Sequence, residues 1–163
     1  MVTKGSPATP NGSQVMKKAI FAGSFDPFHQ GHLEILRKAT KLFDEVWVVV
    51  SRNPNKEDQV KLENRYLMVK KYLKREPKVK VKKNPDLLTI EYAHRYKIPF
   101  LVRGVRDEKD FAKELELAQD NHLLGSDVET VLLISDPKMK KISSSGLKEI
   151  ADFRASVESK VGC

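Results

Sequence analysis

Two histidines flank a glycine in the stretch Gly23-Ser24-Phe25-Asp26-Pro27-Phe28-His29-Gln30-Gly31-His32. Imidazole rings so close to a side-chain-free backbone suit the donation of ring N–H groups to phosphate oxygens. Gly23 lets a ligand approach the main chain, Ser24 offers a hydroxyl and an N–H, and Gly31 has no side chain to block a phosphate. A helix beginning here would add the partial positive charge of its N-terminus. Two other readings compete. A histidine pair spaced three apart could ligate zinc, but a third ligand is needed, and His94 and His122 suggest no such cluster. His29 could also be a structural cap that never touches a ligand.

Three further clusters carry similar chemistry. In Leu101-Val102-Arg103-Gly104-Val105-Arg106, leading toward Asp110, two arginines around a glycine can clamp polyanionic oxygens in bidentate fashion. The competing reading pairs them with Asp107 or Glu108 as ordinary surface ion pairs. In Lys138-Met139-Lys140-Lys141-Ile142-Ser143-Ser144-Ser145-Gly146, consecutive hydroxyls and free N–H groups form an anion cradle, although alone they would pass for an N-cap with loop filler. Lys56, in Asn53-Pro54-Asn55-Lys56, would be an ordinary solvated lysine but for its place after a strand.

To act together, these clusters must be carried to one end of a sheet. Ala19 to Ala22 reads as a buried strand, followed by a helix with Leu33, Leu36, Ala39 and Phe43 on one face. Val46 to Val50 suits a strand buried on both faces. Leu62, Tyr66, Val69 and Leu73 repeat at helical spacing, Pro77 stops that helix, and Val79 to Val81 is a weak strand. Asp86 is expected to cap a helix carrying Leu87, Ile90 and His94, with Pro99 ahead of a strand over Phe100 to Arg103. Phe111, Leu115 and Ala118 make another amphipathic face, Thr130 to Ile134 a last strand, and a short helix with Leu147 and Ile150 follows the serines. Such alternation implies an α/β, doubly wound parallel sheet, in which ligands bind beyond the carboxyl ends of the strands.

The 163 residues suit one domain, and an apolar fraction of 40% beside a charged fraction of 32% suits a globular one. Residues Met1 to Gln14 are rich in Gly, Ser, Thr, Pro and Asn, so a disordered leader is expected over 1–16 and the domain over 17–163. No apolar run approaches the roughly 20 residues that span a bilayer, which excludes a helical membrane protein. The N-terminus lacks an apolar signal core and the one cysteine is Cys163, so a cytoplasmic address is expected. The formal charge of +8 invites a nucleic-acid reading. Most of that excess, however, lies in Lys70, Lys71, Lys74, Arg75, Lys78, Lys80, Lys82 and Lys83, with only Tyr72 interleaved as an aromatic. The solvated face of one helix and one strand is the better account, and no nucleic-acid partner is expected.

Taken in order, the four clusters resemble the phosphopantetheine adenylyltransferases of the HxGH nucleotidyltransferase superfamily, relatives of class I aminoacyl-tRNA synthetases. The resemblance runs from Lys17 to Ile150. It rests on Gly23-Ser24-Phe25-Asp26-Pro27, Gly31-His32, Asn53-Pro54-Asn55-Lys56 and Leu62-Glu63-Asn64-Arg65. It continues through Arg103-Gly104-Val105-Arg106, Asp110-Phe111, Glu114-Leu115, Asn121 and Ile142-Ser143-Ser144-Ser145. The arginine cluster followed by Asp-Phe and Asn separates this family from its relatives.

The resemblance implies a Rossmann-like nucleotidyltransferase fold and transfer of AMP from ATP, as its Mg²⁺ complex, to 4′-phosphopantetheine. The products would be dephospho-CoA and pyrophosphate. It implies catalytic roles for His32, Ser24, Lys56 and Arg103. Gly23, Ser24, Phe25, His29, His32, Gly104, Arg106, Glu114, Ile142, Ser143, Ser144 and Ser145 would bind ATP. Ser24, Lys56, Leu87, Leu88, Arg103, Asn121 and Glu149 would bind the acceptor. Mg²⁺ is expected with the triphosphate, without a dedicated carboxylate cage, and a homo-oligomer is expected, a hexamer in this family.

Three departures stand out: Ser24 where threonine is common, Lys113 where an aromatic is frequent, and His29 in the manner of nicotinate-nucleotide adenylyltransferases. The chain also stops sooner than its relatives, predicting a curtailed last helix. Alternatives from the same superfamily are a nicotinate-mononucleotide adenylyltransferase or a cytidylyltransferase. From other classes come a basic nucleic-acid-binding protein and, through Lys138-Met139-Lys140-Lys141-Ile142-Ser143, a synthetase fragment.

Overall fold

The computed structural model describes residues 15–53, 61–137 and 143–162. In chain order it runs β1 (Lys18–Gly23), α1 (Gln30–Leu42), β2 (Glu45–Ser51), α2 (Leu62–Tyr72) and β3 (Val79–Asn84). It continues with α3 (Thr89–Arg95), β4 (Phe100–Val105), α4 (Glu108–Leu124), β5 (Glu129–Ile134) and α5 (Ser144–Val161). The five strands form one parallel sheet in the order β3-β2-β1-β4-β5. The chain thus grows outward from β1 in both directions, as the alternation of strands and helices predicts.

Strand alternation divides the core. Ala19 and Phe21 of β1, with Val46, Val48 and Val50 of β2, pack against Leu33, Leu36 and Ala39 of α1 and Val69 of α2. Ile20, Ala22 and Val49 turn to the other face, where Ile90, Tyr92 and Ala93 of α3 cover them. Both faces of the central strands are therefore dry, and their near-continuous apolar sequences follow from that. Trp47 is the exception in β2. It is half-buried, hydrogen-bonds Glu45 Oε1 at 2.7 Å, and lies beneath the ammonium groups of Lys18 and Lys82.

Four expectations need correction. Phe43 is buried but lies at the C-cap of α1 rather than within it. Asp86 caps nothing: Asn84 closes the turn, donating to Leu87 O at 2.8 Å and accepting from Leu87 N at 3.0 Å, so the helix starts at Thr89. His94 leaves the apolar face of that helix for an exposed contact with Asp127. Neither α4 nor α5 contains a buried residue, although α4 packs along β4 and β5. Phe111, Leu115, Leu147 and Ile150 all stand exposed. The last helix is also not short, with 18 residues from Ser144 to Val161.

Residues 1–14 of the expected leader lie outside the described residues, and Val15 and Met16 are exposed without regular structure. No helix among the described residues is long and apolar enough to cross a membrane. The core makes one direct prediction. Leu36 is fully buried between α1 and the sheet. Leu36→Ala should cost about 2–5 kcal/mol of unfolding free energy. A denaturant midpoint that does not move would show that this face of α1 is not packed as described.

Candidate active site

At the seam between β1 and β4 the order of the strands reverses. The two strands are in register at Ile20 and Leu101 only, whereas β1 and β2 run in step from Lys18–Glu45 to Gly23–Val50. A cleft of about 520 Å³ opens outside their carboxyl ends. Its walls hold Gly23, Ser24 and Phe25 after β1, His29, Gly31 and His32 at the start of α1, and Arg103, Gly104 and Arg106 at the end of β4. Three loops separated in sequence thus converge on one space rich in N–H donors and cations.

The first turn of α1 fixes both histidines. His29 is the N-cap, and its Nδ1 accepts the Gly31 N–H at 3.1 Å. The His29 backbone N–H in turn donates to His32 Nδ1 at 3.1 Å, and the two rings stack with centroids 3.7 Å apart. His29 therefore is a structural cap, and it also lines the cleft. A Cβ on residue 31 would stand 3.0 Å from the His29 ring, so the room that Gly31 provides is taken by imidazole. Because His32 Nδ1 is an acceptor, the ring's one proton sits on Nε2, the donor it can offer a ligand.

Phe25 and Phe28 pack around the His32 ring at 5.0 and 5.1 Å, and Phe21 lies slightly farther out. Burial, reinforced by His29 and the Arg103 guanidinium, lowers the His32 pKa to about 4. Phe25 holds this cage with φ at +47°, a left-handed conformation that a bulky residue adopts only when packing enforces it.

Neither arginine is a loose surface cation, and neither pairs with Asp107 or Glu108. Arg103 forms a fork with Glu114 of α4, Nε to Oε2 at 2.8 Å and Nη2 to Oε1 at 2.9 Å, while its Nη1 donates to Ala22 O at 3.2 Å. Arg106 is more exposed and pairs with Asp110, Nε to Oδ2 at 2.8 Å. That bond holds the Asp110 carboxyl below its usual range and raises Arg106. Gly104 admits α1 closely, for a Cβ there would stand 2.8 Å from Ile35 Cγ1.

A second cavity of about 270 Å³ adjoins the first, sharing Ala22 and Arg103 with it. It is mainly apolar, with Leu88, Leu101, Leu117 and Leu124 in its walls and Asn121 among its few polar groups. Leu87 does not line it and instead packs against the core beside α3. Glu114 lines neither cavity, because Arg103 engages both its oxygens. Ser143, Ser144, Ser145 and Glu149 belong to the α5 segment and line neither cavity, and Ser143 caps the helix by accepting from Gly146 N. Lys56 and Ile142 lie outside the described residues.

Ser135 and Arg65 have roles that the sequence did not assign to them. Ser135, just past β5, lines the cleft and is anchored through its N–H to Val105 O at 2.9 Å. Its position immediately after a strand was the available signal. Arg65 does not line the cleft, yet its guanidinium bonds Ser24 O. A charged residue between Leu62 and Val69, on the inward face of a helix, could have marked it. Among the described residues no group of three His, Cys, Asp or Glu side chains could hold a metal ion. The carboxylates in the cleft wall are Asp26 and Asp110, the latter already tied to Arg106.

A parallel sheet with an HxGH turn at the switch point, opposed by paired arginines, defines a nucleotidyltransferase. The pattern of the cytidylyltransferase-like family matches residues 20–150. The phosphopantetheine adenylyltransferase of Lactobacillus acidophilus is 41% identical over 138 residues, covering 85% of this chain and 86% of that protein. That of Streptococcus pneumoniae is 41% identical over 137 residues, covering 84% and 85%. The chain belongs to the phosphopantetheine adenylyltransferase family. A solved lipopolysaccharide core biosynthesis protein from Thermoplasma volcanium shares the fold, with a TM-score of 0.54 at 21% identity over 77% of this chain and all of that one.

The cage around His32 gives a measurable signature. Its ring should titrate near pH 4 by NMR, against 6.5 for a free histidine. Since the fold holds the ring neutral, protonation favours the unfolded chain. This contribution to stability is whole above pH 6.5, falls between 6.5 and about 4, and then levels off. A His32 titration near 6.5 would contradict the packing described.

Proposed function

We propose that this chain transfers AMP from MgATP to 4′-phosphopantetheine, giving dephospho-CoA and pyrophosphate, in the cytoplasmic synthesis of coenzyme A. The single observation that carries the reading is the pair of cavities joined across Arg103, one cationic and rich in N–H donors, the other apolar. The first suits a triphosphate and the second an apolar arm ending in a phosphate. The names of the relatives support the same pairing of substrates.

In the reaction, an oxygen of the acceptor phosphate bonds to the α-phosphorus of ATP while the bond to the bridging oxygen breaks and pyrophosphate departs. A phosphate monoester has a second pKa of about 6 and is ionised at neutral pH, so no general base is needed. What the protein supplies is alignment and charge neutralisation. His32 donates Nε2–H to the α-phosphate as charge gathers there, with the Ser24 hydroxyl beside it. Arg103 and Lys56 neutralise the acceptor phosphate. Glu114, assigned to the nucleotide by resemblance, acts here by fixing Arg103.

Gly23, Phe25, His29, Gly104 and Arg106, all in the cleft wall, hold ATP, and the resemblance alone gives the same role to Ile142, Ser143, Ser144 and Ser145. Leu88 and Asn121 of the apolar cavity receive the pantetheine arm, a role that the resemblance alone extends to Leu87 and Glu149. The divalent cation, Mg²⁺, enters on the triphosphate, in a cleft whose two wall carboxylates are Asp26 and the Arg106-bound Asp110. Exposed Phe111 and Leu115 on α4 and Leu147, Ile150 and Phe153 on α5 support assembly into a homo-oligomer, a hexamer in this reading.

Pyrophosphate release measured across a panel of nucleotides and acceptors tests the proposal. Turnover should require ATP and phosphopantetheine together, and turnover with nicotinate mononucleotide or CTP instead would sink it. His32→Ala should lower kcat by about 100-fold or more while the KM for ATP changes little, because the contact tightens at the transition state. A loss confined to ATP binding would contradict the role given to this ring. Sedimentation should find an oligomer, and a monomer at assay concentration would remove the hexamer.

A further inference from the structure

Among the described residues Arg65 is the only cationic side chain buried in the core, with 2% of its surface exposed. It sits on α2 one turn after Leu62 and one turn before Val69, both packed against the sheet. Mere filling of that space would favour an apolar side chain, because a guanidinium must be compensated for its lost hydration. Its partners show what the charge does there. A single nitrogen, Nη1, donates to Ser24 O at 2.6 Å and to Ser51 O at 2.9 Å.

Those two carbonyls occupy a special place. The pairing of β1 with β2 ends at Gly23 and Val50. Ser24 and Ser51 are the next residue on each chain, where the two strands must part to let the loops over the cleft begin. The guanidinium adds one more rung just past the end of the ladder. The guanidinium does not line the cleft, whereas Ser24 does.

We infer that Arg65 is a positioning residue, which holds Ser24 at the cleft by clamping the carboxyl ends of β1 and β2. Its effect on turnover rests on the adenylyl transfer proposed above, whereas its effect on Ser24 does not. A methionine fills similar volume without donors, so in Arg65→Met the two carbonyls lose their shared partner. A lysine keeps the charge but not the planar fork.

The test compares kcat, the KM for ATP and the backbone amide resonances of Ser24 and Phe25 in wild type, Arg65→Lys and Arg65→Met, each shown to be folded by circular dichroism. The expected order of kcat is wild type, then lysine, then methionine. The methionine variant should fall at least about tenfold with little change in KM, and the Ser24 amide should be displaced in the same order. A folded variant with wild-type kcat and an unmoved Ser24 amide, whatever its loss of thermal stability, would overturn the inference. Should Arg65→Met fail to fold, Arg65→Lys and Arg65→Gln decide it by the same two readouts. If wild type itself gives no turnover with phosphopantetheine, the functional reading falls, and the displacement of the Ser24 amide alone decides the clamp.

Discussion

The reversal of strand order beside β1 governs the rest of the molecule. Successive crossovers carry the chain away from β1 on one side and then on the other, and the carboxyl end of the seam between β1 and β4 stays open. Backbone groups left there need partners other than a neighbouring strand. Ala22 O finds one in the guanidinium of Arg103. The opening is thus a result of topology, and the side chains around it satisfy the main chain as well as face the cleft.

That double duty explains how the donors are held before any ligand arrives. Arg103 is gripped by Glu114, Arg106 by Asp110, and the His32 ring by a backbone N–H and three phenylalanines. Each restraint removes rotamer freedom that a phosphate would otherwise have to freeze. The neutral state of His32 fits the same arrangement. A charged ring would be disfavoured by the apolar cage and by the arginine beside it, and only the neutral tautomer can accept the His29 N–H while keeping a proton to donate.

Much of the frame was legible in the sequence because both faces of the sheet are buried. The runs Ala19 to Ala22, Val46 to Val50 and Phe100 to Val102 are apolar throughout, and the clusters of polar chemistry follow them. What was not legible depended on tertiary placement. Arg103 and Glu114 are eleven residues apart and meet only because α4 lies along β4, so no local pattern announces the fork. Asn84 displaced Asp86 as the organiser of the turn before α3, since its amide can both donate and accept where a carboxylate only accepts. The faces of α4 and α5 were correctly seen as amphipathic, but periodicity does not say whether an apolar stripe meets its own core or another molecule. Arg65 was visible as a member of a motif, yet its reach to Ser24 across the sheet's end required the packing of α2.

One feature of the sheet bears on the protein's behaviour in solution. Among the described residues β3 has no neighbour on its outer side, and a bare edge of this length can recruit a strand from another molecule. It carries Lys80, Lys82 and Lys83, with Lys78 just ahead of it, and each is steered by a nearby group, Lys78 by Thr40 O, Lys80 by Glu45, Lys82 by Trp47 and Lys83 by Glu63. Bringing two such edges together would crowd like charges along their whole length. The lysine run that lifts the overall charge therefore discourages sheet-to-sheet aggregation, and any ordered self-association is directed to the exposed apolar residues of α4 and α5.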